Sequence, residues 1–282
     1  MRAVRELGLD AAVHASVGAP RGSRWLHPSL FLPEIAMRIV LIVAGLLFGA
    51  NAFAATPEAV VTTAMKALAP NVKIETVQDS PIPGFYEAIA DGQFVYVSKD
   101  GRFVLDGTAY DVAHKSNLTS QSQAKFRKAA LAKVGADKRI VFAPPPPIAT
   151  KHTVTVFTDV DCPFCRRFHQ QIAQYNAKGI AVDYLLYPLA IHPGADKKAE
   201  AVWCAKDHQT AFTEAMGGHG PTNNQCPNPV AELTALGHSL GVSGTPTVLT
   251  ADGTQIAPQI ALSPDKLAAE LDKLDRTKLA SN

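Results

Sequence analysis

Cys162-Pro163-Phe164-Cys165 sets two of the chain's four cysteines two residues apart. A β-branched apolar run, Val154-Thr155-Val156-Phe157, precedes them, and the pattern over residues 166–175 predicts a helix after them. Thiols at this spacing can close a small disulfide ring. A thiol at a helix start also meets unpaired backbone N–H groups and the positive end of the helix dipole, which stabilise its thiolate. The thiolate is the form that attacks a disulfide. Cys162 is therefore the candidate nucleophile. Cys165, one turn deeper, is the candidate resolving thiol that frees a mixed disulfide. Arg166 and Arg167 favour the thiolate, while Asp159 and Asp161 oppose it by like charge. A permanent disulfide or half a zinc site would use the same spacing, but the strand–turn–helix context favours redox chemistry.

The other two cysteines, Cys204 and Cys226, flank a segment rich in Gly, Pro and Asn. A disulfide closing that loop would stabilise the fold by roughly 3 kcal/mol. A second redox pair, or a zinc site completed by His208 and His219, remains an alternative. His169 follows Cys165 by four positions and shares its helix face. It either donates a hydrogen bond or positive charge near the thiols, or is an ordinary surface or boundary histidine. His192, His208 and His219 have no ligand spacing. Lys197 and Lys198 read as a solvated face. No metal and no cofactor is expected.

These residues need elements to position them. Residues 153–158 predict a strand into Cys162, and 180–187 a second strand. A mostly helical stretch occupies 194–240, and 247–249 predict a third strand. Asp252-Gly253 turns into Gln255-Ile256, and a helix with Leu267, Leu271 and Leu274 on one side closes the chain. With Cys-x-x-Cys at the first turn, this is the thioredoxin-like order, with a helical insertion between its second and third strands. In that order Thr245-Pro246 is expected to be a cis bond beside the cysteines, with Thr245 offering backbone and hydroxyl to an extended substrate. Pro163 and Phe164 would shape the surface and the redox poise.

Upstream, Thr56 and Pro57 predict a helix start, with Val60, Ala64, Ala67 and Leu68 on one face. Short strands at 72–77, 85–89, 94–97 and 103–105 follow, with hairpin turns at Asp91-Gly92 and Asp100-Gly101. This unit has a thin core and no cluster of catalytic residue types, which suits an oligomerisation or substrate-surface module. Residues 119–135 predict a linker helix. The four prolines 144–147 predict a stiff spacer at a domain boundary.

At the N-terminus, Met37-Arg38, the apolar run 39–48 and Ala52-Phe53-Ala54 make a secretory signal peptide, too short to span a bilayer comfortably. The expected division is an artefactual or disordered extension at 1–36 and a signal peptide at 37–54. An N-terminal dimerisation domain at 55–116, a linker helix and Pro-rich spacer at 117–151, and a catalytic domain at 152–282 complete it. Such a chain works where disulfides persist. Its net charge of +2 carries no strong nucleic-acid footprint.

Three segments carry a family resemblance: Val154-Thr155-Val156-Phe157-Thr158-Asp159, Trp203-Cys204-Ala205-Lys206-Asp207, and Leu240-Gly241-Val242-Ser243-Gly244-Thr245-Pro246. From about residue 57 onward the chain resembles the DsbC/DsbG family of periplasmic protein disulfide isomerases. The resemblance implies an α+β, cystatin-like dimerisation domain, a linker helix and an α/β thioredoxin-like domain with a helical insertion. It implies a V-shaped homodimer around an apolar cleft, located in the periplasm. It also implies misoxidised secreted proteins as clients and a membrane reductase of the DsbD type as electron donor. Cys162 and Cys165 match the family's catalytic pair, and Cys204–Cys226 its structural disulfide. Thr245, Pro246, Pro163 and Phe164 fall at its substrate-contacting positions. One departure stands out: DsbC has Gly-Tyr between the cysteines, and Pro163-Phe164 is closer to the Pro-Tyr of DsbG. The expected function is isomerisation or reduction of incorrect disulfides through a Cys162 mixed disulfide. A DsbG-like sulfenic-acid reductase, a holdase chaperone and a DsbA-type oxidase are the alternatives.

Overall fold

Thr56 Oγ1 accepts the Ala59 N–H at 3.3 Å and Pro57 takes the first helical position, so α1 runs Pro57–Leu68 in this computed structural model. The structure describes residues 55–221 and 225–281. The expectations for 1–36 and 37–54 lie outside them. The face expected on α1 needs correcting in part: Ala64 packs against the core, but Val61 and Met65 are the buried pair and Leu68 is 57 % exposed. The sheet beneath meets the Val61–Met65 row, one step round the helix from the Val60–Leu68 row.

That sheet is antiparallel, in the order β1 (Ile74–Asp79), β2 (Phe85–Ala90), β3 (Gln93–Ser98), β4 (Val104–Asp106). Asp91 and Gly92 both have positive φ, +47° and +73°, which is what a two-residue hairpin between β2 and β3 requires. Ala88, Ala90, Val95 and Val97 form its small core under α1. A two-residue ribbon, β5 (Tyr110–Asp111) with β6 (Ser116–Asn117), is too short to register as a sequence pattern.

Asn117 caps α2 (Leu118–Leu131) by accepting the Ser120 N–H at 2.9 Å. The expected linker helix is not a free connector. Phe126, Ala130 and Leu131 pack on Phe157, Leu185, Tyr187 and Leu249 of a second sheet. A β-carbon at Gly253, whose φ is +84°, would run into the Ala124 carbonyl, so glycine lets the helix seat on this face.

The second sheet has the order β11 (Gln255–Ile256), β10 (Thr247–Thr250), β8 (His152–Thr158), β9 (Ile180–Leu186), β7 (Ile140–Phe142). Only β8 and β9 are parallel. The expected proline spacer needs correcting here. Ile140 is buried and β7 pairs with β9, so the prolines 144–147, with a cis Pro146–Pro147 bond, loop between two strands of one sheet.

The helix expected over 166–175 is two: α3 (Pro163–His169) and α4 (Ile172–Ala177). At the break the Gln171 N–H turns to Phe168 O, and its side-chain amide donates to Arg167 O and Leu262 O instead. Helices α5 (Ala195–Trp203), α6 (His208–Met216) and α7 (Val230–Ser239) form the insertion before β10. After a short α8 (Pro258–Ala261), α9 (Pro264–Ser281) buries Leu267 and Leu271 and packs Leu274 against the core. No helix among the described residues is long and apolar enough to cross a membrane.

Candidate active site

Strand β8 ends at Thr158, and a tight turn carries the chain to Cys162, the N-cap of α3, with Pro163 at its first position. Both thiols are free and buried. The Cys162 thiol is held low, at about 5. The largest cause is a hydrogen bond from the Cys165 thiol, helped by the Thr245 side chain and the backbone N–H groups of Cys165 and Phe164, against the opposing effect of burial. Burial and the neighbouring Cys162 push the Cys165 thiol far up. One sulfur is thus ionised and the other holds its proton.

Thr245–Pro246 is cis, and Cys162 Sγ lies 3.3 Å from the Thr245 carbonyl oxygen, which accepts from the thiol only while Cys162 is protonated. The hydroxyls of Thr158 and Thr245 are buried with no oxygen or nitrogen partner among the described residues, and both act on the Cys165 sulfur. Phe164 is 57 % exposed. Beside it a cavity of about 330 Å³ is lined by Phe164, Gly244, Thr245, Pro246, Ile256 and Leu262.

The charges arrange differently from expectation. Arg166 donates to Val160 O at 2.8 Å and to Asp161 at 3.0 Å. Lys198, expected on a solvated face, reaches Asp161 at 2.8 Å. Asp161 is therefore balanced by two cations, and Arg166 is engaged by Val160 O and Asp161. Asp159, whose side chain has no exposed area, accepts from the N–H groups of Asp161 and Leu189 and from His192 Nδ1 at 2.7 Å. Sequence reasoning missed this pair, because residues 33 positions apart leave no local spacing to read.

His169 belongs to neither expected class. It is buried between the Tyr184 hydroxyl and Thr213 Oγ1, both at 3.1 Å, with the rings of Phe142 and Phe212 edge-on. Burial lowers its pKa to about 4, so it is neutral and brings no charge to the thiols.

Cys204 and Cys226 are joined, tying the end of α5 to the segment before α7. His208 stacks on Trp203 at 4.5 Å. Among the described residues no group of three or more His, Cys, Asp or Glu could hold a metal ion.

Two family models match the chain: the disulfide bond isomerase protein N-terminal domain over residues 52–120 and a thioredoxin-like domain over 147–275. The Escherichia coli K12 thiol:disulfide interchange protein DsbC is 36% identical over 188 residues, 66% of this chain and 76% of the relative. The Salmonella typhimurium protein of the same name is 34% identical over 207 residues, 72% of this chain and 82% of the relative. A solved disulfide interchange protein from Neisseria gonorrhoeae is 33% identical, with TM-score 0.41, covering 49% of this chain and 97% of that one.

Proposed function

The chain belongs to the DsbC family of thiol:disulfide interchange proteins, and from that premise we propose that Cys162 attacks, and Cys165 resolves, the disulfides of its clients. The Cys162 thiolate attacks one client sulfur. The client S–S bond breaks, a mixed disulfide forms, and the other client sulfur leaves as a thiolate. In isomerisation that thiolate attacks another client disulfide, and a client sulfur finally displaces Cys162, with no net redox change. In reduction Cys165 loses its proton and attacks the Cys162 sulfur. The client leaves with two electrons and Cys162–Cys165 becomes a disulfide, which a membrane reductase of the DsbD type returns to the dithiol.

One observation carries this reading: an ionised Cys162 beside a protonated Cys165, both against the cis Thr245–Pro246 bond. An extended client segment would pair its backbone along Thr245 and Pro246, with side chains in the cavity beside Phe164 and against the neighbouring Pro163. Recovery of scrambled ribonuclease tests it. The protein raises recovery above glutathione alone, Cys162→Ser abolishes the gain, and equal recovery with and without the protein contradicts the assignment.

Residues 55–116 would join two copies into a homodimer. The exposed apolar side chains Phe103, Leu105, Tyr110 and Val112 and the open β4 edge support this. Sedimentation of the full chain as a monomer would overturn it. The 37–54 pattern and the family resemblance support a periplasmic location and misoxidised secreted proteins as clients.

The Pro163-Phe164 pair favours a second reading, reduction of client sulfenic acids in the manner of DsbG. There the Cys162 thiolate attacks the Cys–SOH sulfur, hydroxide leaves and takes a proton to become water, and Cys165 then releases the client thiol. Dimedone trapping on a single-cysteine client separates the two: this protein lowers the adduct if the second reading holds. A holdase role is separated by a Cys162→Ser, Cys165→Ser double variant, which would keep it.

A further inference from the structure

His192 is hydrogen-bonded to the turn that carries Cys162, and nothing in the mechanism above uses it. It sits on the loop from β9 to α5, anchored by its N–H to Leu189 O at 2.9 Å and its carbonyl to the Ala195 N–H at 3.1 Å. Its Nδ1 meets the buried Asp159 carboxylate at 2.7 Å. That carboxylate is itself fixed by the N–H groups of Asp161 and Leu189. The Asp159 carbonyl in turn accepts the Cys162 N–H at 3.2 Å, so the imidazole, the carboxylate and the Cys162 backbone form one connected unit. Nε2 makes no hydrogen bond among the described residues, and the His192 side chain is 23 % exposed.

We propose that His192, held by the buried Asp159 carboxylate, is a positioning residue that presents positive charge to Cys162 while its thiol is ionised, so that the protonation of His192 and the redox state of Cys162 depend on each other.

The proposal rests on Cys162 being the attacking thiolate. The pKa of His192 is raised, first by the Asp159 hydrogen bond, which outweighs the opposing desolvation, and then by the charges of Asp159, Cys162 and Asp161. Coupling is reciprocal: if the thiolate favours the imidazolium, the imidazolium favours the thiolate by the same free energy. Other groups face His192 as well. Asp196 and Glu200 of α5 and His238 of α7 line the same cavity of about 660 Å³. Those carboxylates favour the imidazolium and His238 opposes it when charged, but none of them changes when Cys162 enters a disulfide. The difference between reduced and oxidised protein therefore isolates the Cys162 contribution. When Cys162 attacks, its negative charge moves to the leaving client sulfur, the imidazolium loses that partner, and His192 releases its proton more readily.

The test is a titration of the full chain followed at the His192 ring by NMR, in reduced protein and in protein with the Cys162–Cys165 disulfide. The expected result is a midpoint lower by about half a pH unit in the oxidised form, the size of one charge at moderate distance in a wet site. His192→Gln keeps a donor for Asp159 and removes the charge. It should raise the Cys162 ionisation midpoint by a similar amount, and His192→Lys should restore it. Equal His192 midpoints in the two redox states overturn the proposal even if the Gln variant does not fold. A Cys162 that ionises low and is indifferent to His192→Gln overturns this inference alone. A Cys162 that ionises like an ordinary thiol overturns the assignment beneath it.

Discussion

Cys162 Sγ lies 3.3 Å from the carbonyl oxygen of Thr245, a residue 83 positions later that is joined to Pro246 by a cis bond. The contact links a helix start to a strand start across the second sheet. It puts the reactive sulfur beside the backbone along which the proposed function lays an extended client segment. The contacts around this pair of sulfurs generate the predictions.

Cys165→Ala removes the largest cause of the low Cys162 pKa. The Cys162 midpoint should rise from about 5 by roughly one to two pH units, the worth of one hydrogen bond to a charged group. Mixed disulfides with clients should accumulate, because no thiol remains to resolve them. Ultraviolet thiolate absorbance and non-reducing electrophoresis check the two effects separately.

The low Cys162 pKa also makes stability depend on pH. An acid whose folded pKa lies below its unfolded one stabilises the fold above the unfolded value, and that gain is lost as pH falls through the folded value. The window is from 9.0, the ordinary thiol value, down to about 5. Thermal midpoints of reduced protein and Cys162→Ala should therefore diverge in favour of the former as pH rises through this window. Parallel curves would count against the site geometry.

His169 works in the same direction on acidification, over a lower pH range. Its pKa is lowered from 6.5 to about 4 by burial, so only the unfolded chain takes up a proton in that interval. Stability should fall by about 1.4 kcal/mol per pH unit from this group as pH drops from 6.5 toward 4. Urea unfolding at several pH values should show a shallower acid slope for His169→Gln, whatever the variant loses at neutral pH.

The active-site turn and the three Asp-Gly hairpins were legible because each is local. Two cysteines at a strand–helix junction, or Asp-Gly between β-branched runs, state their geometry within a few residues. What escaped depends on distant pairing. Residues 140–142 are a strand only because the β9 edge is free to receive them, and α2 is a cover rather than a connector because Gly253 leaves room for the Ala124 carbonyl of that helix. His192 gains its role from Asp159, and His169 loses its expected charge to an aromatic core assembled from β7, β9 and α6. On α1 the 3.6-residue period was right and Ala64 packs as expected, but the buried row is Val61–Met65, since the sheet decides which row is buried.

Serine at both Cys204 and Cys226 should cost about 3 kcal/mol, the loop-closure estimate for a bridge across a separation of 22 residues. It should leave the Cys162 ionisation unchanged, because the bridge joins α5 to the segment before α7 and touches neither reactive sulfur. Chemical denaturation alongside a thiol titration checks both halves, and a shifted Cys162 midpoint would mean the insertion helps set the site.

The most direct test of the central claim is the pH profile of alkylation of the reduced full chain, with the modified cysteine identified by peptide mapping. Cys162 should react alone, with a rate that is half-maximal near pH 5, while Cys165 stays unlabelled. A rate that climbs only toward the ordinary thiol value of 9.0, or labelling that begins at Cys165, would contradict the account.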